Sequence, residues 1–131
     1  MPVDLSKPVL VVEDSQTMGQ IVRNLLMLMG FKQVDAVADV ATALTRLRSK
    51  PYRLVISDWN MQPATGQVLL ERIRHDPFLS ELPVIVVSAE SHIETIRAAT
   101  NAGASGYVVK PFSGETLKQK IAAVLHGEVL V

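Results

Sequence analysis

Short runs of β-branched residues alternate with longer amphipathic segments along this chain, and that alternation constrains the fold more than any other feature. "PVLVVE" (8–13), "VDAVA" (34–38), "YRLVIS" (52–57), "LPVIVV" (82–87) and "GYVV" (106–109) read as strands. Between them, apolar residues recur at helical spacing. Met18, Ile21, Val22, Leu25 and Met29 form one stripe that stops at Gly30. Asp39 caps a helix carrying Val40, Leu44 and Leu47, which ends before Pro51. Leu69, Leu70 and Ile73 mark a third helix, closed by Asp76-Pro77. "SHIE" (91–94) has the spacing of a capping box ahead of a helix with Ile93 and Ile96 that stops near Gly103. A last helix from about Ser113 carries Leu117, Ile121 and Val124. Strands and helices in strict alternation imply an α/β fold, a parallel sheet with helices on both faces. The nearly all-apolar strands agree, because such strands are buried on both sides.

The chain has 131 residues, the size of one domain. Lys plus Arg and Asp plus Glu balance at 13 each, which removes the electrostatic case for nucleic acid or an anionic membrane as partner. Cysteine is absent, so disulfides, thiolate metal sites and a cysteine nucleophile are excluded. The N-terminal "MPVDLSKP" lacks the apolar stretch of a signal peptide, and no apolar run is long enough to span a bilayer. The expectation is a soluble cytoplasmic protein without membrane insertion. His75, His92 and His126 share no ligand spacing and read as surface residues, while Met18, Met27 and Met29 read as packing.

The polar residues fall in one place. The first strand ends in Glu13-Asp14, the third in Asp58, the fourth in Ser88 and the fifth in Lys110. Every carboxyl end of a parallel sheet lies on the same edge, where open α/β sheets bind ligands. Three acids there would repel one another, and a hard divalent cation would relieve the repulsion. Oxygen ligands without His or Cys favour Mg²⁺. A carboxylate can also act as nucleophile toward phosphorus, with Lys110 neutralising phosphoryl oxygens and Ser88 donating a hydrogen bond. Taken singly, Asp14 and Asp58 could be turn or cap residues, Lys110 a solvated lysine, and Tyr107 a strand aromatic. Pro111 holds Lys110 extended, with a cis or trans bond left open.

In order and spacing, "VVED" (11–14), "SDWNM" (57–61) with Gly66, "VVSAE" (86–90) and "GASGYVVKPF" (103–112) resemble the receiver domain of bacterial two-component response regulators, over nearly the whole chain. Within that family the wording is similar to the stand-alone chemotaxis receivers. The resemblance implies a doubly wound, flavodoxin-like three-layer sandwich of strand order 2-1-3-4-5. It implies a single receiver domain over 1–131 with no output domain, behaving as a monomer. It also implies that Asp58 accepts a phosphoryl group from a phosphohistidine on a sensor histidine kinase or His-phosphotransfer protein. Glu13, Asp14 and Asp58, with the Asn60 carbonyl, match the Mg²⁺ ligands, and Lys110 the phosphoryl contact. Ser88 and Tyr107 match a switch pair, and Asn60 and Glu90 positions that tune phosphate lifetime.

Output is expected through helix 4, strand 5 and helix 5, toward a protein partner such as the flagellar motor switch. The alternatives are a phosphorelay shuttle or phosphate sink, a Mg²⁺-dependent aspartyl phosphohydrolase, or an interaction module without phosphorylation. Asn60, two residues after Asp58, cannot transfer protons as the hydrolase would need. Any enzymatic activity expected is autophosphatase only. The chain departs from the family pattern at Glu13, Val40, Ser88, Gly19-Gln20 and at Pro63, which the family places directly after the methionine.

Overall fold

The computed structural model describes residues 5–125. Its elements alternate throughout: β1 (Val9–Val12), α1 (Gln16–Leu28), β2 (Val34–Val37), α2 (Val40–Ser49), β3 (Leu54–Asp58), α3 (Gly66–His75), β4 (Val84–Ser88), α4 (Ile93–Asn101), β5 (Gly106–Val109) and α5 (Gly114–Val124). All strands pair in parallel in the order β2-β1-β3-β4-β5. The implied α/β architecture and strand order are therefore the ones observed.

Side chains alternate across a strand, and β1 shows what that does here. Val9 and Val11 enter one core with Val22 and Leu26 of α1 and Leu117 and Ile121 of α5. Leu10 and Val12 enter the other, with Leu44 of α2, Leu70 and Ile73 of α3, and Ala99 of α4. Helices thus cover both faces, α1 and α5 on one and α2, α3 and α4 on the other. β3 and β4 each end one residue later than their apolar runs suggest, so Asp58 and Ser88 belong to the ladder itself.

Three helix readings need correction. Of the α1 stripe, Val22 is buried and Met18, Leu25 and Met29 pack partly buried against the same core, but Ile21 is 48% exposed and Leu26 takes the buried place beside Val22. The Ser91–Glu94 capping box does not form. α4 starts at Ile93 with His92 as N-cap and no side-chain cap bond, one residue too late for Ser91 to reach the third amide. Ile93 is 53% exposed and only Ala99 of α4 is buried, so this helix packs lightly. Asp39 caps α2 as expected, and Ser113, read as the approximate start of the last helix, proves to be its cap, each accepting from the amide three residues on. His75 and His92 are exposed, and His126 lies outside the described residues.

At the β2 side, Tyr52 and Lys50 both donate to Asp35 Oδ2, at 2.6 and 2.8 Å. Burial and then the hydrogen bond to Asp35 push the Tyr52 phenol up to about 12. Above pH ~10 the unfolded chain loses this proton while the folded chain keeps it, so stability falls with pH. Unfolding free energy should therefore decline between pH ~10 and about 12 on account of Tyr52. The Asp35→Asn variant should bring the Tyr52 midpoint down, as followed by NMR of its ring.

Candidate functional site

β1, β3 and β5 deliver their terminal side chains to one edge. Lys110 Nζ donates to Glu13 Oε1 at 2.9 Å and to Asp58 Oδ1 at 3.3 Å. Asp58 Oδ1 also accepts from the Trp59 amide at 3.0 Å. Carboxylate oxygens of Glu13, Asp14 and Asp58 lie within 4.8 Å of one another. Glu13 and Asp58 are buried and Asp14 is exposed. The four charged residues grouped from the sequence thus lie together at one edge, with Lys110 bonded to two of the three carboxylates.

The electrostatics follow from that imbalance. Burial pushes the Glu13 carboxyl up, nearby Asp58 adds to the rise, and Lys110 only partly opposes it. Burial alone would lower the Lys110 ammonium, but the hydrogen bond to Glu13 and the charge of Asp58 outweigh it and hold it up. Glu13 Oε2 is buried without a hydrogen-bond partner. A buried carboxylate oxygen lacking a partner is costly, and a cation would satisfy it. This all-oxygen donor set fits Mg²⁺ by its chemistry. A cleft of about 410 Å³ lies beside Asp14, lined also by Asn60, Met61, Gln62 and Thr65, while Glu13, Asp58 and Lys110 line a small cavity of about 10 Å³. A larger groove of about 990 Å³, lined by Arg48, Phe78 and Leu82 among others, lies at the opposite edge and contains none of these acids. Size therefore does not mark the chemistry here.

Ser88 is fully buried, and its Oγ accepts from the Glu90 amide at 3.1 Å. Tyr107 is half-buried, and its hydroxyl donates to the Glu90 carbonyl at 2.7 Å. Both expected switch residues thus meet at Glu90. Lys110-Pro111 and Gln62-Pro63 are both cis. Two contributions escaped the sequence reading. Gly66 was noted as part of a pattern, but its reason is spatial: a Cβ there would strike the Asp58 carbonyl oxygen and come within 2.8 Å of Trp59 Cα. The second is Thr95, whose hydroxyl donates to Glu90 Oε2 at 2.7 Å. No local pattern in the sequence announces that pair.

A doubly wound parallel sheet with an acidic cluster at its carboxyl edge, met there by a lysine that follows the last strand, defines a class of α/β domains with a polar site at the strand ends. The comparisons make this particular: the chain belongs to the response regulator receiver domain family, which matches residues 9–122. It is 43% identical over 118 residues to the chemotaxis protein CheY-3 of Vibrio cholerae, covering 90% of this chain and 91% of that one. It is 42% identical to the chemotaxis protein CheY of Pseudomonas aeruginosa, covering 90% and 95%. Among solved structures it resembles the chemotaxis response regulator CheY4 of Vibrio cholerae, with TM-score 0.85 and 30% identity over 91% of this chain and 98% of that one. Such receivers are signalling domains rather than enzymes in the ordinary sense, and phosphorylation and Mg²⁺ dependence are typical of the family. No helix among the described residues is long and apolar enough to cross a membrane.

Two substitutions probe this geometry. Gly66→Ala should cost about 1–3 kcal/mol, because only backbone movement beneath Asp58 makes room for the methyl. Asp58→Asn removes one of three crowded carboxylates and should stabilise the Mg²⁺-free protein by about 1 kcal/mol. Urea denaturation in chelated buffer measures both.

Proposed function

We propose that this chain is a phosphoacceptor switch whose nucleophile is Asp58. An Asp58 carboxylate oxygen attacks the phosphorus of a phosphohistidine on a sensor histidine kinase or phosphotransfer protein. The new O–P bond forms as the P–N bond breaks, and the electron pair leaves with the imidazole, which is reprotonated by solvent. The product is an acyl phosphate on Asp58. Glu13, Asp14 and Asp58, with the Asn60 carbonyl, would hold Mg²⁺, which when bound supplies positive charge for the phosphoryl oxygens. Lys110 pairs with a phosphoryl oxygen and Ser88 donates a hydrogen bond to another. Tyr107 reorients in response, while Asn60 and Glu90 flank the approach of water and tune the slow autophosphatase reaction.

One observation carries this reading: of three carboxylates within 4.8 Å of one another, a lysine bonds two, and among the described residues one of their buried oxygens has no partner. Output runs through α4, β5 and α5. Ile93 on α4 and Val109 on β5 are 53% and 37% exposed, apolar side chains that a partner on this face would cover. The chemotaxis names of the relatives support a chemotaxis role here, with a cytoplasmic flagellar motor switch protein as that partner.

Trp59 is the single tryptophan, is 8% exposed and donates its amide to Asp58, so it reports on the site directly. Its fluorescence should change on adding Mg²⁺, and change again, reversibly, with acetyl phosphate. Asp58→Ala should abolish the second change. Lys110→Ala should slow phosphorylation on the order of a hundredfold. A folded protein whose fluorescence ignores both additions would instead be a receiver fold used only for binding.

A further inference from the structure

Glu90 bonds three separate structural units. Its amide donates to Ser88 Oγ at 3.1 Å, its carbonyl accepts from the Tyr107 hydroxyl at 2.7 Å, and its carboxylate Oε2 accepts from the Thr95 hydroxyl at 2.7 Å. The Thr95 bond is a short one to an ionisable acceptor, the stronger kind of hydrogen bond when that acceptor is charged. Its placement matters more. α4 begins at Ile93 without a side-chain cap, and of its residues only Ala99 is buried. Neither capping nor deep packing holds the start of this helix. The bond from Thr95 back to Glu90 closes the segment 90–95 on itself and sets where the Glu90 backbone lies. That backbone in turn engages both Ser88 and Tyr107.

We propose that Thr95 is a positioning residue that acts through the Glu90 carboxylate to hold the segment 88–95 in its resting arrangement, with Ser88 Oγ engaged by the Glu90 amide. This rests on the reading of Asp58 as phosphoacceptor. An interaction made in one of two states biases the equilibrium toward that state by its own free energy. Removing the Thr95 hydroxyl therefore frees the segment for the arrangement in which Ser88 and Tyr107 answer a phosphoryl group. Thr95 itself touches neither the acids nor Lys110 in any hydrogen bond of the structure.

The test uses the full chain as wild type, Thr95→Val, Thr95→Ser, Glu90→Ala and the Thr95→Val/Glu90→Ala double variant. Hydrogen exchange of the Glu90 amide, measured by NMR without Mg²⁺, should quicken about two- to tenfold in Thr95→Val and in Glu90→Ala. Thr95→Ser, which keeps the hydroxyl, should exchange as wild type. With Mg²⁺ present, fluoroberyllate serves as a phosphoryl mimic and is followed by Trp59 fluorescence. Its apparent affinity should rise about two- to tenfold in Thr95→Val, with no further rise in the double variant beyond Glu90→Ala. Equal amide exchange in wild type and Thr95→Val would overturn the clasp. Quickened exchange with unchanged fluoroberyllate affinity would overturn its link to the site. A wild type that exchanges as expected but ignores both Mg²⁺ and fluoroberyllate would bring down the phosphoacceptor reading, and the proposed link with it, while leaving the clasp itself intact.

Discussion

The meeting of Lys110 with Glu13 and Asp58 is the interaction around which the rest is arranged. It joins residues 97 and 52 positions apart in the chain. The two buried carboxylates share that one ammonium, and the exposed Asp14 adds a third negative charge beside them. The arrangement is electrostatically incomplete without further positive charge: the Glu13 carboxyl is pushed up and one of its oxygens has no partner. A site that is destabilising when empty and relieved by a cation is the pattern expected where function, rather than stability, selects the residues.

The sheet makes such a cluster tolerable. β1 and β3 lie inside it, covered on both faces by helices, and every residue of both strands is buried. Rigid central strands leave their terminal carboxylates little freedom to move apart. Gly66 contributes by letting α3 start hard against the Asp58 backbone, with its amide bonded to the Trp59 carbonyl at 2.9 Å. By contrast, β5 is an edge strand with partial exposure and α4 packs lightly. The molecule is thus more deeply packed where the acids are held than along α4 and β5.

Legibility in the sequence differed by kind of feature. The elements were legible because their periods are local: runs at 8–13 and 106–109 can only be short strands in this context, and Asp39 and Ser113 announce their helices. The converging site was legible because parallel topology forces all carboxyl ends to one edge, so Glu13, Asp14, Asp58 and Lys110 could be grouped before any coordinates. The buried face of α1 was legible through Met18, Val22, Leu25 and Met29, but its edge was not: Ile21 is as apolar as Leu26, and packing left Ile21 exposed and buried Leu26. The capping box at Ser91 failed for a related reason. Its spacing is right, but the helix starts one residue later, and Glu90 rather than Glu94 takes the local donor, Thr95.

Sequence alone determined the order of strands and helices, which strand ends carry charge, and the all-oxygen character of the site, since these depend on residue type and on periods within a few positions. Tertiary structure alone decided that α1 buries Leu26 and exposes Ile21, that Gly66 lies against the Asp58 carbonyl, that one oxygen of Glu13 is left unpaired, and that Ser88, Tyr107 and Thr95 meet on Glu90. Each of these is a contact between segments brought together by packing, and its energy depends on distances that no local pattern contains.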